Sequence, residues 1–230
     1  MKQTNDYLIN ECNGGNTFRM DIKNELYKCK SEYQDIWIYD IKSFGKCLFL
    51  DGCIQTAESD HLIYDNAMLE FFSINFKKML ILGGGDGYIA EMALKRNPNI
   101  KINIVEIDNK VIDVCKKHLN QKVYNNQNVN IINDNALDYL QCVSLVSYDI
   151  IVCDITDCPI RNDIKAADYY VELVNQSYKI LNNNGIISTY IGCDIYFVNS
   201  ILNTLKLKRI VRNVTVPSFG ETCSIVHFPK

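Results

Sequence analysis

The fold is decided by the stretch Met79-Leu80-Ile81-Leu82-Gly83-Gly84-Gly85-Asp86-Gly87. Four apolar residues in a row predict a buried strand, and glycines directly after it let the backbone turn sharply and approach a ligand closely. Beyond the loop, the sequence predicts a helix from Tyr88 to Arg96 that ends near Pro98. A strand, a glycine-rich turn and a helix in this order are typical of a nucleotide-binding unit, although a tight strand–helix turn gives the same pattern.

Strands and helices alternate along the rest of the chain. The further predicted elements are strands at 102–105, 129–132, 149–153, 186–190, 210–216 and 224–228, and helices at 109–119, 136–143, 166–181 and 196–205. This alternation predicts an α/β fold in which a mainly parallel seven-stranded sheet carries helices on both faces. Ligands of such sheets bind at the carboxyl ends of the strands.

The N-terminal part of the chain has a different pattern. Short stretches of alternating apolar residues predict three strands, at Ile36–Tyr39, Cys47–Leu50 and Ile54–Thr56. Apolar residues at helical spacing follow from His61 to Phe72. We therefore predict a small N-terminal β domain over residues 1–60 and a Rossmann-like catalytic domain over residues 61–230.

The composition narrows the class of protein. Apolar residues make up 47% and charged residues 22% of the 230 residues, as in folded globular proteins. A net charge of −3 provides no basic excess for phosphates, so we expect no nucleic-acid partner. No apolar run reaches the roughly 20 residues of a membrane helix, and the N-terminus lacks the apolar segment of a signal peptide. We therefore expect no membrane association.

The ten cysteines and three histidines show no metal-binding spacing. No Cys-x-x-Cys motif occurs, so we predict no metal site. Free thiols in a chain without an export signal are typical of the reducing cytosol. We expect a cytoplasmic protein whose buried cysteines serve as small hydrophobic residues.

Polar residues near the glycine loop favour a cationic nucleoside as ligand. Glu106 ends the second strand of the predicted parallel sheet, about 20 residues after the loop, where a carboxylate accepts the two hydroxyls of a ribose. Asp86 lies inside the loop, where it would repel a pyrophosphate and attract a cation. This argues against NAD and favours a sulfonium nucleoside of the S-adenosylmethionine type. Asn135 and Ala136 would lie near the adenine, although Asn135 is equally suited to cap a helix.

Two further carboxylates follow the apolar strand that ends at Cys153. Asp154 and Asp157 would face the same crevice as Asp86. Negative charges grouped in this way are costly unless a cation pairs with them. A carboxylate there could hold an ammonium group and take its proton, whereas the alternative is a pair of solvated loop acids.

Several motifs together resemble those of spermidine synthases. They are Ser31-Glu32-Tyr33-Gln34-Asp35-Ile36, Phe44-Gly45, Leu50-Asp51-Gly52-Cys53-Ile54-Gln55-Thr56, Asp60, Tyr64, the loop Gly83–Gly87, Glu106-Ile107-Asp108 and Tyr148–Asp157. From about residue 18 onward, their order and spacing resemble the polyamine aminopropyltransferase family. Methyltransferases share the glycine loop and the ribose acid, but not the Tyr-Gln-Asp-Ile and Leu-Asp-Gly-x-x-Gln motifs. The resemblance implies a sheet of the class I methyltransferase type.

The resemblance also implies an activity. Members of this family move an aminopropyl group from decarboxylated S-adenosylmethionine to an amine and release methylthioadenosine. Putrescine is the expected acceptor, and spermidine is the expected product. The donor is a co-substrate, so we expect no cofactor. The expected partners are a cationic polyamine and a sulfonium nucleoside.

Roles of individual residues follow from the same resemblance. The implied donor-binding residues are Gln34, Gln55, Asp86, Glu106, Asn135 and Ala136, beside the loop glycines Gly83, Gly84, Gly85 and Gly87. Asp154 is implied as the general base, with Tyr64 as its catalytic neighbour. The implied acceptor-binding residues are Asp157, Tyr64 and Phe219.

Four features depart from the family pattern. Asp65 stands where the family usually has His or Gln, and it is either a further anchor for the donor ammonium or a change without a role. The run Cys158–Asp163 differs from the Gly-Pro-Ala stretch of the family's lid. Phe219 stands where a Tyr often helps to hold the acceptor. The segment before Phe18 is short, so part of the N-terminal sheet is expected to be missing.

Three other functions stay open. The altered lid and Phe219 fit a synthase for a longer polyamine, spermine or thermospermine. An amine N-methyltransferase would bind intact S-adenosylmethionine, which the acids disfavour. A non-catalytic nucleoside-binding paralogue fits the altered lid but not the joint presence of Asp86, Tyr64, Asp154 and Asp157. Because the family assembles through its N-terminal strands, we expect a homodimer.

Overall fold

Two β-sheets organise the chain, whose computed structural model describes residues 2–3, 6–11, 17–143, 147–155 and 165–230. The N-terminal sheet has six strands in sequence order, each antiparallel to the next. Its strands are β1 (Lys2–Gln3), β2 (Tyr7–Glu11), β3 (Thr17–Lys30), β4 (Asp35–Ile41), β5 (Gly45–Leu50) and β6 (Cys53–Ala57). The second sheet follows from residue 78 onward.

The three predicted N-terminal strands are confirmed as β4, β5 and β6. The sequence analysis missed β1, β2 and β3, and the sheet has more strands than we expected. Strand β3 was missed although its first half, from Phe18 to Lys23, alternates between apolar and charged residues; Phe18, Met20 and Ile22 pack in the core of the N-terminal sheet. Its residues pair with β2 on one side and with β4 on the other, so main-chain hydrogen bonds hold it in place.

The second sheet has seven strands in the order β12-β13-β11-β10-β7-β8-β9. They are β7 (Lys78–Gly83), β8 (Lys101–Glu106), β9 (Val129–Asn133), β10 (Tyr148–Asp154), β11 (Leu181–Gly192), β12 (Ile210–Val216) and β13 (Glu221–Pro229). Strands β7 to β11 pair in parallel, whereas β13 runs antiparallel to both β11 and β12. The predicted mainly parallel seven-stranded sheet is therefore confirmed.

Six helices connect or flank these strands in the described part of the chain. They are α1 (His61–Met68), α2 (Tyr88–Arg96), α3 (Asn109–His118), α4 (Ala136–Cys142), α5 (Ala166–Lys179) and α6 (Ile195–Thr204). Each lies within a few residues of its predicted position, and α2 has the predicted bounds. Across the described residues, no helix is long and apolar enough to cross a membrane.

Both faces of the parallel sheet are buried. Alternate residues of the central strand β7 belong to different cores: Leu80 and Leu82 pack on one face, and Met79 and Ile81 pack on the other. Strands buried on both faces need apolar residues at nearly every position, which explains the continuous apolar run in this part of the sequence. The carboxyl ends of these strands meet the N-terminal sheet, and the cleft described below lies there.

The largest error in the predicted bounds concerns β11. We predicted that the helix before it extends to Leu181 and that the strand begins near residue 186. The helix ends at Lys179, and Leu181 already pairs with Tyr148 of β10. Three asparagines and a glycine at residues 182–185 favour a turn by composition. Here Asn182 donates a 2.7 Å hydrogen bond to Asp149, which fixes this segment beside the sheet.

Candidate active site

A cleft of about 610 Å³ opens where the parallel strands end beneath the N-terminal sheet. Its lining includes the ends of β7, β8 and β10 and the first residues of α4. From the N-terminal sheet it includes the apolar residues Leu48, Leu50 and Ile54. The cleft thus lies at the carboxyl edge of the sheet, where ligands of this kind of fold bind.

The glycine loop forms the floor of the cleft. Gly83 and Gly84 have φ angles of +83° and +75°, a region that side chains with a Cβ rarely adopt. A Cβ on Gly83 would lie 2.1 Å from the main-chain oxygen of Asp154, and one on Gly85 would lie 2.9 Å from Oε2 of Glu106. The missing side chains therefore allow both acids to lie directly against the loop.

Glu106 is held at the end of β8 with its carboxyl group facing the cleft. Its Oε1 accepts a hydrogen bond of 2.9 Å from the N–H of Asp108. Burial raises the pKa of Glu106 to about 7, opposed by hydrogen bonds from the main chain and reinforced by the nearby charges of Asp108 and Asp154. In its ionised form, the carboxylate can accept hydrogen bonds from two hydroxyl groups of a ligand.

Gln34 also lines the cleft, and it connects the two sheets. Its Nε2 donates to Oδ2 of Asp108 at 3.0 Å, and the hydroxyl of Ser31 donates to the same oxygen at 2.6 Å. Asp108 in turn caps helix α3 by accepting from the N–H of Lys110. The N-terminal sheet is thereby fixed beside Glu106.

Asp154 and Tyr64 form a direct pair. The Tyr64 hydroxyl donates to Oδ1 of Asp154 at 2.5 Å, and both side chains line the cleft. Burial raises the pKa of Asp154 to about 6; the Tyr64 hydrogen bond opposes this rise, and the negative charge of Asp65 adds to it. Near neutral pH, Asp154 is therefore a stronger base than an ordinary aspartate, as a proton acceptor in catalysis requires.

Asp86 lies on the same wall of the cleft as the pair. Its Oδ1 accepts a hydrogen bond of 3.1 Å from the N–H of Tyr88. Burial raises its pKa well above the usual range, and the charges of Asp154 and Asp65 add to this effect. A cation entering the cleft would relieve this repulsion among carboxylates.

Asn135 is confirmed as a helix cap, and it also lies in the cleft. Its side chain caps helix α4 by accepting from the N–H of Leu137 at 2.9 Å, and the residue also lines the cleft together with Ala136. Gln55 lines the cleft as well, and its Nε2 donates to the main-chain oxygen of Cys53 at 3.2 Å. The roles of these residues toward the donor stay predictions.

Three of the predicted site residues are not among the described residues that line the cleft. Gly87 is the N-cap of helix α2 and has a left-handed backbone conformation. The cleft is lined by Gly83, Gly84 and Gly85 but not by Gly87. Asp65 points away from the cleft and is bonded to His61 at 2.7 Å. Asp157, and with it the altered lid at 158–163, lies outside the described residues.

The cleft also contains residues that the sequence analysis did not select. They include the acids Asp51, Asp134 and Glu221, the rings of Tyr169 and Tyr190, the thiol of Cys193, and the apolar residues Leu48, Leu50 and Ile54. Asp134 and Tyr190 could have been found from their positions near the ends of parallel strands. Glu221 gave no such signal, because it opens an antiparallel strand at the edge of the sheet.

The ionisable side chains that line the cleft include many acids and, among the described residues, no base. Six acidic residues line it: Asp51, Asp86, Glu106, Asp134, Asp154 and Glu221. No lysine, arginine or histidine is found among its described lining residues. Nor do any three histidine, cysteine or acidic side chains group closely enough to hold a metal ion in the portion of the chain described. The cleft is therefore suited to an organic cation that also presents a nucleoside.

The fold and this cleft define a nucleoside-binding protein with a sheet of the class I methyltransferase type. Two family models match the chain: the spermine/spermidine synthase domain over residues 60–223 and the spermidine synthase tetramerisation domain over residues 7–58. The chain belongs to the spermine/spermidine synthase family.

Individual relatives agree with this assignment. The polyamine aminopropyltransferase 1 of Hyperthermus butylicus is 32% identical over 219 residues, which cover 89% of this chain and 75% of that protein. A thermospermine synthase of Arabidopsis thaliana is also 32% identical, over 87% of this chain and 63% of its own length. A spermidine synthase solved with the transition-state analogue AdoDATO has the same fold, with a TM-score of 0.83, 22% identity, and coverage of 100% of this chain and 82% of that one.

Proposed function

We propose that the protein is a polyamine aminopropyltransferase, which transfers the aminopropyl group of decarboxylated S-adenosylmethionine to putrescine and yields spermidine and methylthioadenosine. The observation that carries this proposal is the cleft lined by six acids and, within the described residues, by no basic side chain. The donor brings a sulfonium and an ammonium group, and the acceptor brings two ammonium groups. The named relatives support aminopropyl transfer, without distinguishing between acceptors.

The acids also select the donor. Intact S-adenosylmethionine carries a carboxylate on the same tail as its ammonium group. That carboxylate would be brought toward Asp86 and Asp154, and repulsion would exclude it. The decarboxylated form lacks this anion, so every charge on its tail is favourable in the cleft. This argues against an amine N-methyltransferase, which needs the intact compound.

In the transfer, the acceptor nitrogen attacks the carbon bonded to the sulfonium sulfur. The carbon–sulfur bond breaks, its electron pair passes to sulfur, and neutral methylthioadenosine leaves. Because an ammonium nitrogen has no free electron pair, the attacking nitrogen must give up one proton, which Asp154 accepts; the Tyr64 hydroxyl fixes the orientation of that carboxyl group. Much of the acceleration comes from holding the nitrogen, carbon and sulfur in line. The step consumes no cofactor.

A longer acceptor is the second candidate, and one observation favours it. Around Tyr64, the rings of Phe219 and Tyr190 lie with centroids 5.8 and 6.1 Å from its own, and all three line the cleft. Glu221 follows two residues after Phe219 in the same lining. A carboxylate there suits the additional ammonium group of a triamine such as spermidine, and the product would then be spermine or thermospermine.

Product analysis by mass spectrometry tests these proposals. The protein is incubated with decarboxylated S-adenosylmethionine and, in separate reactions, with putrescine, cadaverine, spermidine or spermine; a parallel set receives intact S-adenosylmethionine. Methylthioadenosine together with an amine heavier by one aminopropyl group is expected with putrescine. Product with spermidine instead would favour the longer-polyamine synthase. A methylated amine would show that the activity is methyl transfer.

The variant Asp154→Asn separates a catalyst from a non-catalytic binding protein. We expect turnover to fall about 10²- to 10⁴-fold, the usual contribution of a general base, with methylthioadenosine affinity retained. Undiminished turnover would show that Asp154 is not the base. Absence of product in the wild-type protein, with methylthioadenosine still bound, would favour the non-catalytic function.

For assembly, we propose a homodimer formed through the N-terminal sheet. The match to a tetramerisation domain over residues 7–58 supports an oligomer. Light scattering after size-exclusion chromatography distinguishes a dimer from a tetramer. For location, we propose the cytoplasm, because the buried residues Cys47, Cys115 and Cys153 are free thiols.

A further inference from the structure

Asp65 is a buried carboxylate that the proposed transfer does not use directly. It follows Tyr64 on helix α1, is only 2% exposed, and does not belong to the cleft lining. Its Oδ2 lies 2.7 Å from Nδ1 of His61, four residues earlier on the same helix. Burial of a carboxylate is costly without such a partner, so the two residues act as a pair.

Direct contacts connect this pair to both acids that face the substrates. The ring of His61 stacks on the ring of Tyr88, with centroids 3.9 Å apart and planes inclined by 22°. The N–H of Tyr88 holds Asp86. On the other side, Tyr64 precedes the buried carboxylate in sequence and donates to Asp154. Helix α1 therefore fixes the pair directly behind the wall of the cleft.

We propose that Asp65, held by His61, is a positioning residue for aminopropyl transfer: it places a fixed negative charge behind Asp154 and Asp86 and strengthens their action on the cationic substrates. The inference rests on the proposed function, because it requires Asp154 to accept a proton. It gives Asp65 a role through the cleft acids rather than through contact with the donor ammonium.

The direction of the electrostatic effect supports this role. Burial is the main cause of the raised pKa of Asp154 and of Asp86, and the charge of Asp65 raises both further. A base with a higher pKa takes a proton more readily near neutral pH. The same charge favours any cation that approaches the two acids.

Charged groups face Asp65 from its own helix and from the elements packed against it. They are His61 on α1, Glu91, Lys95 and Arg96 on α2, Asp86 in the glycine loop and Asp154 at the end of β10. Burial raises the pKa of Asp65; the hydrogen bond and charge of His61 and the charge of Lys95 oppose this, and Glu91 reinforces it. His61 is the only one of these residues with a direct hydrogen bond to Asp65 among the described contacts.

The test is the pH profile of kcat/KM for decarboxylated S-adenosylmethionine at saturating acceptor. In Asp65→Asn and Asp65→Gln, loss of the charge lowers the pKa of Asp154. The acidic limb should move about 0.5–1 pH unit lower, and the donor KM should rise several-fold. Affinity for methylthioadenosine, which is neutral, should stay within about twofold. These three measurements distinguish an electrostatic role from a structural one.

Two further variants provide the controls. Asp113→Asn makes the same change in net charge at an exposed position of α3 and should leave the acidic limb unchanged. Tyr64→Phe removes a hydrogen bond that lowers the pKa of Asp154, so the limb should move in the opposite direction, to higher pH.

The inference would be overturned if both Asp65 variants still bind methylthioadenosine and the acidic limb of their pH profiles stays at the pH of the wild type. If neither variant binds methylthioadenosine, Asp65→Ser replaces them: serine removes the charge but keeps a hydroxyl that can hydrogen-bond to His61, so the limb must move to lower pH, and an unmoved limb would overturn the inference. The proposed function itself fails only if wild-type protein forms no aminopropylated product or Asp154→Asn keeps full turnover.

Discussion

Among single residues of the cleft, Glu106 is the proposed ligand of the ribose, and we expect its ionisation to control nucleoside affinity. Its pKa is raised to about 7, mainly by burial. Only the ionised form accepts hydrogen bonds from both ribose hydroxyls. We therefore expect the affinity for methylthioadenosine to fall as pH decreases below about 7, by up to tenfold per unit. Titration calorimetry between pH 5.5 and 8 measures this.

The matched control for this prediction is Glu106→Gln. An amide cannot ionise, so its affinity should be about 10- to 100-fold weaker than that of the wild type at pH 8, with little change as pH falls. A flat wild-type profile over the same range would mean that the Glu106 carboxylate does not hold the ribose.

At this scale, the sequence predicted the acids whose positions follow from the fold. Glu106 and Asp154 end parallel strands, and Asp86 lies in the glycine loop, so topology alone brings them together. Pairing between side chains could not be predicted in the same way. The partner of Asp65 depends on which face of α1 turns inward, and only the packed helix shows that it is His61.

Within one element, the glycine loop offers a comparison between two positions of similar backbone strain. Gly83 and Gly84 have φ angles of +83° and +75°. A Cβ at Gly83 meets the main-chain oxygen of Asp154 at 2.1 Å, whereas one at Gly84 meets the side-chain Cγ2 of Ile81 at 2.8 Å. The side chain of Ile81 can shift, but the main chain of β10 cannot move without displacing Asp154, the proposed base.

We therefore expect Gly83→Ala to destabilise the protein more than Gly84→Ala. Each alanine costs about 1–2 kcal/mol for the left-handed backbone, and the clash at Gly83 adds to this. Gly83→Ala should also lower turnover, because it displaces Asp154. Denaturant unfolding compares the free energies of unfolding. Equal stability of the two variants would contradict the close approach of the loop to β10.

At the scale of elements, the sequence predicted those with strong periodicity. Helix α2 begins at a glycine and ends before a proline, and its bounds were predicted correctly. Strand β3 was missed although residues 18–23 alternate between apolar and charged residues, which is a period-2 signal. Beyond Lys23 the alternation breaks, and the strand continues by main-chain pairing with β4.

For the whole molecule, the buried acids couple substrate binding to proton release. Native Asp154 and Asp86 have raised pKa values, mainly because of burial and further because of neighbouring carboxylates, so the free protein retains protons that the unfolded chain would lose. By linkage, Asp154 reduces stability as pH rises from about 4 through about 6, and the raised pKa of Asp86 acts in the same direction. The cationic donor favours their ionised forms and should reverse this effect.

We therefore expect decarboxylated S-adenosylmethionine to release more protons on binding at pH 6 than methylthioadenosine does. The contribution of Asp154 to this difference should disappear by pH 8, because Asp154 of the free protein, with a pKa of about 6, has already lost its proton there. Calorimetry in two buffers with different ionisation enthalpies gives the number of protons released. Equal release by the two ligands at pH 6 would show that the acids do not respond to the charge of the donor.

The arrangement of the two sheets was only partly predictable. Alternating strands and helices indicated the parallel sheet, because each crossover connection leaves a strong helical pattern. The closure of the cleft by Leu48, Leu50 and Ile54 depends on how the two sheets pack against each other. The contacts between the sheets join residues that are distant in sequence: Ser31 and Asp108, for example, are 77 residues apart.

The strand order of the second sheet determines when substrates can first be held during synthesis. Strand β13 lies between β11 and β12, and β12 has no other neighbour among the described strands. A nascent chain that has emerged from the ribosome only as far as β12 therefore cannot close this edge or bring Glu221 to the cleft. We therefore expect the side of the cleft that contains Glu221 to form only after β13 has been inserted between β11 and β12.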